Sequence, residues 1–307
     1  MKEMLVQTAR IYGKRNAISK RKGFLALFSE QIRRLGFNVR IDEGYTSIHK
    51  YSAVYGDPKD AKAVFITGYD TTTAAILPGH KYYPANIRKS AAANLIDIYL
   101  RAALGALILF GAYQLMKLPV FSSSNILRYG TIVVLTVLVF FLLRGIDCKY
   151  SFNRNTSAVT LLYKTAEELK GNKKYSFVFA DDTARSPVGY KRCADILKDD
   201  VANKDVFILE AVGAGEKMYL VHRDVQDEEA KRILSSFKDV EIEDVSLSEE
   251  KAEGTILRYF PKTFILTSGT MKNGEIECKE TRSYSSLKCD IDRLEALEKG
   301  IVSFIDK

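Results

Sequence analysis

The chain has no tryptophan, and among its 307 residues there are only three histidines and four cysteines. Each scarcity removes a class of function. Cys148, Cys193, Cys278 and Cys289 are unevenly spaced and form no Cys-x-x-Cys pair, which excludes a disulfide framework and a structural zinc module. They are expected to be reduced thiols. The histidines, His49, His80 and His222, are too few and too scattered for a histidine-rich metal centre, and each is expected at the surface or in a loop. The opening stretch MKEMLVQTARIYGKRNAISKRKG lacks the apolar core of roughly 7–15 residues that a signal peptide needs. There is no internal repeat, no low-complexity tract and no nucleic-acid motif. The net charge of +8 is spread rather than striped with aromatics, so nucleic acid is not an expected partner.

What the chain has in excess is apolar length. YLRAALGALILFGAYQLM runs from Tyr99 to Met116 with only Arg101 and Gln114 strongly polar, and YGTIVVLTVLVFFLL runs from Tyr129 to Leu143 between Arg128 and Arg144. At about 1.5 Å per residue, each covers most of a bilayer core of about 30 Å, the second once Ile126–Ile146 is counted and its arginines snorkel. KLPVFSSSNILR between them supplies Pro119 and a Ser-Ser-Ser-Asn turn. Two membrane spans are expected, with the lipid bilayer as a partner; the alternative is a helical hairpin buried in a soluble core. Lys81, Arg88, Lys89, Arg144, Lys149 and Arg154 flank the pair on one side, and only Lys117 and Arg128 lie in the connection. The positive-inside rule then puts both termini and the large domain in the cytoplasm.

Around the hairpin, strand-like and helix-like segments alternate. FLALFSEQIRRL (Phe24–Leu35) has helical apolar spacing and is expected to cover a sheet; the preceding Lys14, Arg15, Lys20, Arg21 and Lys22 leave open a contact with anionic lipid. His49–Gly56 and Ala63–Asp70 read as strands around the turn GDPKD, the second apolar enough for a sheet interior and ending at Asp70. Helices are expected at 156–169, 188–197, 227–237 and 291–305, and strands at 174–182, 205–213 and in MYLVH, DVEIEDV and KTFILTSG. That alternation predicts a three-layer α/β domain with a mostly parallel sheet. Residues 1–90 and 148–307 would be its two parts, and 91–147 the inserted hairpin. ILPGHKYYPANI (Ile76–Ile87) is a stiff loop that would lid a pocket or rest its tyrosines at headgroup level.

The order of segments resembles the di-zinc aminopeptidase family. AVFITGYDT (63–71) is similar to its strand ending in His-x-Asp-Thr, and NRNTSAVTLLYKTAEEL (153–169) to its Asp-Asn-x-Ser-Gly helix start. FVFADDTARSPVGY (177–190) resembles the strand leading to its Glu-Glu pair, FILEAVG (207–213) the strand with a ligand Asp, and ETRSYS (280–285) the His-Thr-x-x-Asp-Thr loop. The resemblance implies a zinc-exopeptidase-like fold and, in the family, two zinc ions sharing a bridging Asp, with a Glu as general base. Carried across, the ligand set fails. Gly68 stands for the first His, Arg154 for the bridging Asp, Thr183 and Ala184 for the Glu-Glu pair, Glu210 for a ligand Asp and Glu280 for the last His. Asp70, which in the family orients the first His, matches the motif.

Glycine offers no donor atom, a guanidinium is repelled by dications, and Thr183 is no general base near neutral pH. Asp181 and Asp182, adjacent on an expected strand, would point to opposite faces and not share a site. No metal, cofactor or catalytic residue is therefore expected, and Arg154 is expected to pair with Asp70, Glu210 and Glu280 as a counter-charge in place of zinc. The function implied is a membrane-anchored pseudopeptidase that binds a protein or peptide partner. The alternatives are an active metallo-aminopeptidase or amide hydrolase with a divergent zinc site, and a structural subunit held by its hairpin.

Overall fold

The computed structural model describes residues 1–45, 49–122 and 124–307. Ser123, within the expected Ser-Ser-Ser-Asn turn, lies outside the described residues. The chain opens with helices α1 (Lys2–Tyr12) and α2 (Ile18–Arg34), then strands β1 (Val39–Tyr45), β2 (His49–Tyr55), β3 (Ala63–Gly68) and the short β4 (Lys81–Tyr82). The long helix α3 (Ile87–Leu115), a turn of helix α4 (Pro119–Ser122) and helix α5 (Asn125–Arg144) follow. Then come β5 (Tyr150–Ser151), α6 (Ser157–Leu169), β6 (Tyr175–Ala180), α7 (Val188–Leu197), β7 (Asp205–Glu210) and β8 (Lys217–Arg223). Helix α8 (Asp227–Leu234), β9 (Ile242–Leu247), α9 (Glu249–Ala252), β10 (Thr263–Lys272), β11 (Glu275–Lys279), β12 (Ser285–Ser286) and α10 (Ile291–Asp306) complete the chain.

The sheet runs β1-β2-β6-β3-β7-β10-β11-β4, with β8 and β9 branching from β10. Its centre, β6-β3-β7-β10, is parallel, and antiparallel pairs flank it at β1–β2, β2–β6, β10–β8 and β10–β11. This is the expected α/β architecture. β3, β6 and β7 are buried along their whole length, as strands covered on both faces must be. On one face Phe24, Phe28, Phe65, Phe177, Phe179 and Phe207 pack with helices α2, α6 and α10. On the other, Val64, Ile66, Val178 and Ile208 meet α7 and the segment around Leu257. Although β2 and β3 are successive in sequence, β6 lies between them. The carboxyl ends of β6, β3 and β7 thus share one edge of the molecule.

Two of the helices are long and apolar enough to cross a membrane, α3 and α5. Neither is a core helix: α5 has no buried residue, and Leu107, Phe110, Ile126, Val134 and Phe140 are all more than half exposed. The two pack on each other. Asp97, Arg101, Gly105 and Ala112 form the buried stripe of α3, and Gly105 faces Val139 and Leu143 of α5. The helix also starts well before the apolar run, because the Asn86 side chain caps it by accepting from the Lys89 N–H at 2.9 Å. Its first turns therefore belong to the domain.

The hairpin is fixed at its root. The Asp97 carboxylate, 4% exposed, accepts from Arg101 Nε at 3.1 Å, Arg282 Nη2 at 2.9 Å and the Ile76 N–H at 2.8 Å. Arg101 also donates to the Leu142 and Ala74 carbonyls, and Arg282 to that of Thr73. One carboxylate, with Arg101, thus joins both helices to the loop after β3.

Helix α2 covers the sheet as expected, and Arg15 and Arg21, two of the five basic residues open in sequence to a lipid contact, are buried. Arg15 donates to the Tyr69 and Tyr12 carbonyls and to Thr156 Oγ1, and burial lowers its pKa to about 10. Arg21 pairs with Asp181 at 2.5 Å. His222 is neither a surface nor a loop residue. It lies on β8, fully buried, with Nε2 2.6 Å from Asp244 on β9 and Nδ1 2.7 Å from the Arg223 carbonyl.

Candidate functional site

The edge where β3, β6 and β7 end gathers most of the residues at which the family would hold metal. Gly68 closes β3 and Glu210 closes β7, while Asp70, Thr183 and Ala184 follow β3 and β6. Arg154 comes from a π-helical turn, Phe152–Thr156, directly before α6.

Arg154 is 4% exposed and stands at the centre. Its Nε is 3.5 Å from Glu210 Oε2, and its Nη1 and Nη2 donate to the Ala184 and Thr183 carbonyls at 2.6 and 3.0 Å. The Tyr82 ring lies over the guanidinium, 3.9 Å from Cζ to the ring centroid. Burial alone would lower the Arg154 pKa, but the charge of Glu210 beside it acts the other way and the pKa lies above its ordinary value, so the group is a permanent cation. Tyr190 donates a short hydrogen bond to Glu210 Oε1.

Asp70 reaches this cluster indirectly. Its carboxylate accepts from the Thr183 N–H at 3.0 Å, Thr183 Oγ1 at 2.8 Å and the Ala184 N–H at 3.1 Å. The same two residues turn their carbonyls to Arg154. Burial, and then the charge of Asp181, raise the Asp70 pKa to about 6. Asp181 and Asp182 lie just past the end of β6, not on it, and part company: Asp181 binds Arg21 and the Tyr51 N–H, and Asp182 binds Lys50.

Glu280 is not part of the cluster. The chain turns there with φ +58°, and the half-exposed carboxylate pairs with Lys288 at 2.8 Å. Of the three carboxylates expected around Arg154, the structure brings Glu210 into contact, couples Asp70 through two backbone amides and carries Glu280 away. Tyr82 and Tyr190 complete the site and have no counterpart among the family positions. Of the two roles open to the 76–87 loop, Tyr82 takes that of a lid. Burial raises the pKa of both tyrosines, which leaves them neutral donors. The cavity over Arg154 has a volume of about 30 Å³, room for one water molecule, between Tyr82, Tyr190, Pro187 and the first turns of α3.

These residues do not fit a pair of zinc ions. The cation of Arg154 occupies the middle of the donor set, and the Thr183 hydroxyl is committed to Asp70. Position 68 has no room for a ligand: a Cβ there would lie 1.7 Å from Thr183 Oγ1. Among the described residues, no three His, Cys, Asp or Glu side chains converge as a metal-binding group. The four cysteines are free, and burial pushes Cys148 to about 11 and Cys193, Cys278 and Cys289 to about 12, out of the nucleophilic range.

The crowding at position 68 is testable. Gly68→Ala should destabilise the fold by about 1–3 kcal/mol, the usual cost of overpacking. In the double variant with Thr183→Ala the loss should be smaller than the sum of the two singles, because the first obstruction is gone. Additive losses in thermal melts would show that the methyl group is accommodated another way.

Solved structures share this architecture. A zinc-dependent exopeptidase from Parabacteroides distasonis superposes with a TM-score of 0.59 at 9% identity, over 99% of this chain and 97% of its own. Glutaminyl cyclase from Porphyromonas gingivalis gives 0.57 at 12% identity, over 100% and 98%. The fold is that of the zinc exopeptidases. A leucine aminopeptidase precursor from Bacteroides thetaiotaomicron matches in the same way, at 0.56 and 10% identity over 99% and 96%. No protein-family model and no curated protein matches the sequence. The exopeptidase architecture is thus retained at an identity where it speaks for the fold alone.

Proposed function

We propose that this chain is a membrane-anchored protein of exopeptidase fold in which an internal ion pair has replaced the metal site, and that it acts by binding rather than by hydrolysis. The observation that carries the reading is Arg154, buried against Glu210 and capped by Tyr82. A guanidinium there neutralises the carboxylate that would otherwise attract a cation, and it leaves no base and no open coordination position. The α3–α5 hairpin is the anchor. Because the domain is built from segments on both sides of it, an even number of crossings is required to return the chain to the same face. The excess of lysine and arginine at the hairpin root supports a cytoplasmic position for that face. The partner is a protein or peptide held on the domain's exposed surface.

A hydrolase with another ligand set is the rival reading, and it draws on what the neighbouring structures are named. The two separate in an assay. The full chain in lipid nanodiscs, supplied with zinc, should show no turnover of aminoacyl or N-terminal glutaminyl substrates above the protein-free rate. Turnover that a chelator abolishes and zinc restores would overturn the reading.

A further inference from the structure

The segments that root the hairpin form a belt around it. The stretch after β3 lies beside the stretch after α5: the Ala74 N–H donates to the Ile146 carbonyl at 2.8 Å, that of Cys148 to Thr72 at 3.1 Å, and Thr73 bridges Asp147. The loop after β11 lies alongside both, through Ala75 N–H to Arg282 O at 2.9 Å and Lys149 N–H to Tyr284 O at 2.7 Å. From the loop after β6, the Arg185 carbonyl accepts from Asn94 of α3 at 3.1 Å. All these links fall where α3 leaves the domain, between Asn94 and Arg101.

The belt turns apolar and basic side chains outward. Leu77 is 50% exposed, Tyr284 51% and Val188, at the start of α7, 44%, none of them in the hairpin. Lys14, Arg144, Lys149 and Arg185 are exposed among them. Of the acidic groups at this level, Asp97 and Asp147 are spent on Arg101, Arg282 and Asn16, and Glu280, which lines the same hollow as Leu77 and Tyr284, is paired with Lys288. Isolated exposed leucines need no explanation, but apolar and basic groups ringing the base of two apolar helices match the composition of a bilayer interface.

We infer that this belt is a second membrane contact, with Leu77, Val188 and Tyr284 in the interfacial layer and Lys14, Arg144, Lys149 and Arg185 against anionic headgroups. The inference rests on the reading of α3 and α5 as spans. It sets the orientation of the domain: the strand ends that carry Asp70, Arg154 and Glu210 face the bilayer, so the surface free for a partner is the opposite end of the sheet and its two edges.

The absence of tryptophan makes the test direct, since one introduced tryptophan is the only one in the chain. Leu77→Trp, Val188→Trp and Tyr284→Trp report on the belt, Val134→Trp on the centre of α5, and Val225→Trp, 77% exposed in the turn after β8, on the far end of the sheet. The full chain carrying each is placed in nanodiscs of anionic phospholipid brominated near the headgroup end of its acyl chains, or at mid-depth. The belt reporters should be quenched by the shallow bromines and less so when zwitterionic lipid replaces anionic, while Val225→Trp stays unquenched. Quenching at Val134→Trp by the deep bromines, with none at the belt, would overturn the inference and leave the spans standing. No quenching at Val134→Trp would remove the spans and the belt together.

Discussion

Arg154→Met should destabilise the folded chain by about 3–5 kcal/mol, the range for removing one partner of a buried ion pair. The loss has more than one source. Glu210 keeps its hydrogen bond from Tyr190 but is left buried without its counter-charge, the Thr183 and Ala184 carbonyls lose their donors, and Tyr82 loses the cation under its ring. Because the cost lies mainly in the stranded carboxylate, Arg154→Met with Glu210→Gln should recover much of it. Thermal unfolding followed by circular dichroism in detergent measures both. A single variant as stable as the parent would mean that the pair contributes nothing, and the closed site would lose its physical basis.

Asp97→Ala should be as damaging, by about 3–5 kcal/mol, for the opposite charge reason. It strands two buried guanidinium groups, Arg101 and Arg282, and frees the Ile76 N–H. Because this carboxylate joins α3 and α5 to the domain, its loss should act first on the belt. Proteolysis of the detergent-solubilised protein should become faster near residues 74–79 and 145–149 while the sheet remains protected from hydrogen exchange. Asp97→Asn, which keeps the shape and part of the hydrogen bonding, should lie between. Cleavage unchanged in Asp97→Ala would show that backbone pairing alone holds the hairpin.

Much of this architecture is legible in the sequence because it depends on local pattern. Ala63–Gly68, Tyr175–Ala180 and Asp205–Glu210 are short apolar runs bounded by turn residues, and they are the buried parallel strands. The two apolar runs are the two exposed helices. The insertion of β6 between β2 and β3 has no local signature, since strand order is set by pairing across more than a hundred residues. Nor has the burial of Arg15 and Arg21, whose partners Tyr69 and Asp181 lie 54 and 160 residues away. One overlooked element does carry a signal. Asn273-Gly274, both at positive φ, is the tight turn that folds β10 back on β11, and an Asn-Gly pair is a strong short-range mark of such a hairpin.

At the site, the positions that the family resemblance picks out could be read from the sequence, and Gly68, Arg154, Thr183 and Ala184 do meet. What replaced the chemistry could not. Tyr82 reaches Arg154 from the loop between β3 and α3, and Tyr190 reaches Glu210 from α7. Glu280 has the right position in sequence, but the left-handed turn at that residue directs it to Lys288. Side-chain direction at a loop is a property of the backbone conformation, which residue type alone does not specify.

Replacement of a metal by the Arg154 cation predicts a chain that binds no zinc. The full chain, purified in detergent without chelator and analysed by elemental mass spectrometry, should carry close to no zinc per chain, and added zinc should wash away. Two tightly held zinc ions per chain would contradict the account, because they would require Arg154 to leave the site and another set of side chains to ligate there.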